Sequence, residues 1–288
     1  MKIGTKFKQI RQDKHLTQAN VAQGIISVSY LSKFEQNKVN ISYNKLIQLI
    51  QRLNITIVEF EMFMNHDNLP SQADFYHDLH YAKQNQNLIE INTIRDKQEE
   101  LYHQTHNQRF LFNTIIANQE INRLSDLNYH TEDIQKIIDY LYQVNHWYTY
   151  EINLFGNALF CFPYADVKFL TRTLIKHLSS QNNRIYRRND AALHILNICL
   201  LCIEKNKLSD ARHFLAQLDQ FTDTSYDYFE QVRKLALLGI LKIREGHTEA
   251  GKAQAQEALD MMIQLGDHTS ADRYRNYLNK TLDSCSSQ

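Results

Sequence analysis

Glycine and proline are scarce, at seven and two in 288 residues. A β-rich or α/β chain of this length needs many more turn residues, so the composition points to an all-α protein. Four scattered cysteines (Cys161, Cys199, Cys202, Cys285) are too few for a disulfide framework. The start, MKIGTKFKQIRQDK, has charges but no apolar core of a signal peptide. The longest apolar run, ICLLCI at 198–203, falls far short of the roughly 18 residues of a membrane span. A soluble, cytoplasmic chain with no membrane partner is expected. No GxSxG, Walker-type loop, HExxH or dinucleotide fingerprint occurs. The chain is therefore read as a non-enzyme with no cofactor and no metal.

What is present is ample core material: 43% hydrophobic residues, with 16 Tyr and 14 Phe. Lys+Arg balance Asp+Glu at 32 each, and that balance hides an asymmetry. Residues 1–66 hold nine basic against four acidic side chains, a net of +5, and residues 67–288 carry the opposite net of −5. A basic end on an acidic body suits a polyanionic partner at that end only.

Residues 1–65 read as five short helices. Ile3, Phe7 and Ile10 keep helical spacing, and Thr17, Ser27, Ser42 and Thr56 stand where N-caps belong. Gly24 can close the second helix. The polar stretch HDNLPSQAD, 66–74, holds one of the two prolines and reads as a linker. From 75 to 284, helices follow one another with short connections, and the tail DSCSSQ is expected to fray. Helix starts recur at Thr131, Ala165, Ser209 and Thr248, three of them with Ser or Thr before an acid. Capping and a favourable dipole account for that pattern. A period of 34 to 44 residues accommodates a helix pair, which is the mark of a tetratricopeptide-like right-handed α-solenoid.

The most specific motif is residues 16–37, LTQANVAQGIISVSYLSKFEQN. Two short helices meet across a tight turn, with Val21, Ala22, Leu31 and Phe34 between them. The start of the second helix offers Ser27, Val28, Ser29, Ser32 and Lys33 to a major groove, with Lys38 and Asn40 beyond it. Gln18 opens the preceding helix, where side chain and backbone N–H can grip a phosphate.

Through Leu16-Thr17-Gln18, Val21-Ala22, Ser29, Leu31-Ser32 and Phe34-Glu35 this segment resembles the helix-turn-helix domain of phage-repressor-like (Xre) regulators. The resemblance implies a phosphate contact from Gln18, base-edge contacts from Val28, Ser29 and Lys33, and an internal pair between Arg11 and Glu35. The usual glycine is replaced by Asn37, which tolerates a left-handed conformation. With SVSYLSKFEQNKVNIS and WYTYEINLFGNALF (147–160), the whole chain resembles the Rgg/GadR/MutR transcription regulators. That resemblance implies a homodimer on double-stranded promoter DNA and a short hydrophobic signalling peptide in the concave face of the solenoid.

The residues themselves allow such a face. Tyr150, Asn153 and Asn157 fall within about 60° on one helix, and Tyr186, Asn189, Leu193 and Asn197 share one face of a later one. Asparagine amides can both donate to and accept from an extended peptide. Arg184, Arg187 and Arg188 could hold a carboxylate. The residues alone equally admit a regulator answering to pH, a small molecule or thiol oxidation, or a solenoid adaptor. Cys199-x-x-Cys202 sits in the most apolar helix and reads as core packing. Trp147 reads as core or dimer packing, and the pairs His77/His80 and His103/His106 as solvated surface.

Overall fold

The computed structural model describes residues 2–64, 71–180, 188–220, 222 and 227–286, with side chains of 180, 188–190 and 285–286 left aside. Every regular element among the described residues is helical. The chain divides into two compact units, Met1–Asp74 and Phe75–Gln288.

The first unit holds α1 (Ile3–Asp13), α2 (Gln18–Ala22), α3 (Val28–Glu35), α4 (Tyr43–Arg52) and α5 (Ile57–Met64). Thr17 Oγ1 accepts from Asn20 N and Ser27 Oγ from Tyr30 N, both at 3.2 Å. At α5, Thr56 N donates to Glu59 Oε2 (2.6 Å) while Glu59 N donates to Thr56 Oγ1 (3.1 Å), a reciprocal cap. Ser42 occupies the N-cap of α4, but its side chain makes no cap bond. Phe7, Ile10, Val21, Ala22, Leu31, Phe34, Leu49, Ile50, Leu53 and Phe60 form one core.

Asn37 takes φ +58°, the left-handed region a glycine would fill. Its side chain also clamps α1: Oδ1 accepts from Gly4 N (2.9 Å) and Nδ2 donates to Thr5 Oγ1 (2.6 Å). Gly4 allows that approach, since a Cβ there would lie 1.8 Å from the Phe34 carbonyl oxygen.

The second unit comprises α6 (Gln72–Gln84) from Phe75 onward, α7 (Leu88–Thr105), α8 (Gln108–Leu124), α9 (Thr131–Gln143), α10 (Thr149–Ala158), α11 (Tyr164–Ser180), α12 (Arg188–Glu204), α13 (Leu208–Leu218), α14 (Tyr228–Arg244), α15 (Thr248–Gln264) and α16 (His268–Ser286). Three expectations need correction. Residues 72–74, read as linker, are the first turn of α6. Ser71 N donates to Asp74 Oδ2 (2.9 Å) and Asp74 N to Ser71 Oγ (3.1 Å), so S-x-x-D starts a helix there. The repeating starts at Thr131, Ser209 and Thr248 do mark α9, α13 and α15. Their N-caps, however, are His130, Lys207 and His247, none with a side-chain cap bond. The Ser/Thr residues lie inside the first turn, so only the acids beside them act, on the helix dipole. The expected frayed tail is helical to Ser286, because Ser284 Oγ donates to Thr281 O (2.7 Å) and accepts from Arg244 Nη1 (3.3 Å).

Neighbouring helices pair (α7 with α8, α12 with α13, α14 with α15), and alternate ones stack, α10 on α12, α12 on α14 and α14 on α16. One continuous core runs from Phe75 to Leu278. Trp147 belongs to it at 1% exposure, its Nε1 donating to Leu141 O (3.3 Å).

The helices α14 and α15 touch backbone to backbone. A Cβ at Gly239 would fall 2.6 Å from Ala255 N, and one at Gly251 2.5 Å from the Gly239 carbonyl oxygen. Gly239→Ala or Gly251→Ala should therefore force the pair apart and cost about 1–3 kcal/mol, read as a lower urea midpoint at unchanged slope. A surface control, Ala253→Ser, should leave the midpoint in place.

Candidate nucleic-acid interface and effector face

The first unit is organised by one buried ion pair. Arg11 and Glu35 are 7% and 3% exposed. Arg11 Nε and Nη2 meet the two Glu35 oxygens at 2.7 and 2.9 Å, while Nη1 donates to Leu16 O at 2.6 Å. This pair, expected from the resemblance, ties α1 to α3 and to the turn before α2. Gln18 joins it: Nε2 donates to Glu35 Oε2 (2.8 Å). In this arrangement one of the two amide N–H donors serves the ion pair, so a phosphate at α2 would meet the other together with the first-turn backbone N–H of Gln18.

The start of α3 is presented to solvent. Ser27, Val28, Ser29, Lys33, Lys38 and Asn40 are exposed and Ser32 is half-buried. Ser27 Oγ is committed to the cap and lies 3.1 Å from Ser29 Oγ. Ser32 Oγ accepts from Gln36 Nε2 (3.3 Å). Tyr30 Oη donates to the Asn40 carbonyl (2.7 Å), which fixes the chain leaving α3. Among the described residues, Val28 and Lys33 therefore remain exposed at this helix start without a side-chain partner, while Ser29 shares its hydroxyl with Ser27.

In the second unit, the polar residues expected on α10 and α12 are partly brought together. Asn157 Nδ2 donates to Asn153 O (2.8 Å), leaving Oδ1 unengaged among the described residues. Asn153 Oδ1 lies 3.1 Å from His194 Nε2, which donates to it, leaving the Asn153 amide nitrogen unengaged among the described residues. One turn on, Asn197 Oδ1 accepts from Arg273 Nη2 (3.2 Å). Leu193 packs against the core and is half-buried. Tyr150 turns inward: its ring meets Tyr140 edge-on at 6.2 Å and its hydroxyl has no partner among the described residues. Burial pushes that phenol well above its ordinary value. Tyr186, Arg184, Arg187 and the side chains of Arg188 and Asn189 lie outside the described residues.

His194, Gly156 and Arg273 went unread in the sequence. The His194 ring lies against Gly156, where a Cβ would be 2.0 Å from Nδ1. A glycine inside a helical pattern signals such an approach. Arg273 carries no comparable mark.

The titratable groups bear on the non-peptide alternatives. Cys161, Cys199 and Cys202 are buried. Burial pushes the Cys161 thiol up to about 12 and raises the other two. All three are protected thiols in this fold, poor candidates for oxidation. His194 Nδ1 is closed from solvent with no partner among the described residues, and burial lowers the imidazole to about 4. Since the unfolded imidazole titrates near 6.5, the unfolded chain binds the proton first as pH falls. This residue's contribution is full above pH 6.5 and lost progressively down to about 4, up to about 3 kcal/mol in all. Urea unfolding at pH 7.0 and 5.5 should show wild type losing more stability on acidification than His194→Gln.

A family model described as the HTH-type transcriptional regulator Rgg, C-terminal domain, matches residues 91–276. A helix-turn-helix model matches residues 7–60. Among solved structures, a protein of Listeria monocytogenes EGD-e described as a transcriptional regulator superposes with a TM-score of 0.85 at 22% identity, over 98% of each chain. The Streptococcus dysgalactiae SHP pheromone receptor Rgg2 gives 0.80 at 19% identity, covering 96% of this chain and 99% of its own. A bacterial peptide pheromone/receptor complex gives 0.74 at 17% identity, over 97% and 98%. Model and fold agree along both units: the chain belongs to the Rgg family of helix-turn-helix transcriptional regulators.

Proposed function

We propose that this regulator is switched by a short hydrophobic signalling peptide. Residues 1–65 form the DNA-binding head, and residues 75–284 the effector-binding and dimerisation domain of a cytoplasmic homodimer. On double-stranded promoter DNA, Val28, Ser29 and Lys33 read base edges. Ser27, Ser32, Lys38, Asn40 and the start of α2 at Gln18 position the backbone. The peptide lies along the row of α10 and α12 on the concave face.

The observation that carries the reading is the unspent capacity of two asparagines one turn apart: the Asn153 amide donors and the Asn157 Oδ1 acceptor. An extended peptide presents complementary groups, one carbonyl and one N–H per residue. The pheromone receptors that share the fold support the same reading. Switching is a population shift: the peptide binds one arrangement of the dimer better and thereby respaces or releases the heads.

The test is a mobility-shift titration against upstream DNA at fixed salt, with culture-derived peptide fractions added. A fraction should alter binding by wild type and leave Asn153→Ala/Asn157→Ala indifferent, while both proteins bind DNA equally without it. Binding that no fraction alters would count against a peptide effector. In the head, Lys33→Ala should relax base preference. Lys38→Ala should weaken all sites alike and flatten the salt dependence by about one unit.

A further inference from the structure

We propose that Arg273, oriented by Asn197, receives a carboxylate of the bound peptide, so that the pair fixes the ligand's direction along the α10–α12 row. The assignment rests on the peptide reading above and names the end-group chemistry it requires.

Arg273 lies on α16 and is exposed, yet it reaches across to α12, where Nη2 donates to Asn197 Oδ1 at 3.2 Å. Its partner is a neutral amide. Among the described residues it makes no ion pair, whereas Arg233 on α14 is paired with Asp267 and Arg275 with Asp272. A guanidinium has five donors, and one amide oxygen leaves most of them available. Because Asn197 spends its oxygen on Arg273, its NH2 group remains to donate beside the guanidinium. A cationic donor and a neutral one, held on different helices, make a fork for a planar carboxylate.

The surroundings favour an anion. His80 on α6 is held below its ordinary value by burial, then by the positive charges of Lys83 and Arg273. Lys83 already serves Glu120 (2.8 Å), a carboxylate shared with Arg123 (2.6 Å), so that acid is spent. Glu204 is the acid close enough to feel both Lys280 and Arg273, and burial nonetheless raises it. It forms no ion pair with either among the described residues. One turn before Asn197, His194 bonds Asn153, so the fork lies one turn along α12 from the residue that meets the α10 asparagine. A peptide lying on the Asn153 and Asn157 amides would bring one end to Arg273.

The probe is a synthetic pool of hydrophobic octapeptides without Asp or Glu, prepared as free acids and as C-terminal amides. A third pool carries one Asp and an amidated C-terminus. Each is offered to the full-length protein, and retained peptides are counted by mass spectrometry. Wild type should retain the free acids at least about tenfold better than the plain amides. Arg273→Gln should erase that difference and Arg273→Lys restore part of it, with thermal midpoints unchanged because the side chain is exposed. Arg273-dependent retention of the Asp pool alone would assign the fork to a ligand side chain, still a carboxylate. Equal retention of acids and amides by wild type, or a preference that survives Arg273→Gln, overturns the assignment and leaves the peptide reading standing. Retention of no pool by wild type overturns both.

Discussion

Stacking is the constraint on which the second unit rests. Helices such as α9 bury one stripe (Ile134, Ile137, Ile138, Leu141) and leave the rest wet, so none can desolvate its apolar face alone. The core is instead continuous through the stack, each helix closing the face of its neighbours. That demand admits backbone contact where the helices come nearest, at Gly239 and Gly251. It also draws polar groups out of water wherever a row must be completed. Several find partners on another helix: Asn113 with Gln98 (2.8 Å), Tyr140 with Glu151 (2.7 Å), and Glu120 with Lys83 (2.8 Å), Glu120 also meeting Arg123 on its own helix. Each such bond adds only about 1 kcal/mol, but an orphaned group costs more than that.

The groups proposed for function are those whose bonding is left incomplete among the described residues. In the first unit, the Arg11–Glu35 pair takes in Gln18 and ties α1 to α3, so the exposed start of α3 needs only local bonds such as the Ser27 cap to hold it. Removing one partner of a buried pair strands the other charge, at about 3–5 kcal/mol, which makes the pair a fixture and not a reader. In the second unit Glu151, at the start of α10, spends its oxygens on the Tyr140 hydroxyl and the Tyr148 N–H, whereas Asn153 and Asn157, two and six residues on, keep bonding capacity among the described residues.

How far the sequence speaks depends on whether the signal is local. The helices of the first unit are announced by Thr17, Ser27 and Thr56, each bonded within four residues. The cap at Ser71 is equally present in S-Q-A-D, but polar residues beside Pro70 resemble a linker and hide it. The periodic starts of α9, α11, α13 and α15 are visible, although side-chain capping is only half the reason for them: the acids matter and the hydroxyls do not. Asn153, Asn157 and Asn197 can be placed on faces by angle alone. Their partners cannot, since His194 lies 41 residues from Asn153 and Arg273 lies 76 from Asn197. Tyr150 shares the angle of Asn153 yet packs inward, because an aromatic ring gains more from Tyr140 and the core than from solvent.

The buried cysteines carry a consequence for handling the molecule. In the native fold Cys161, Cys199 and Cys202 are shielded and hold their protons firmly, so reductant has little to act on. Unfolding exposes those thiols together at their ordinary acidity, where air oxidation can join them. Heat inactivation then becomes a one-way process whose apparent midpoint shifts with scan rate and oxygen. Reductant protects the unfolded chain and its return, not the folded protein.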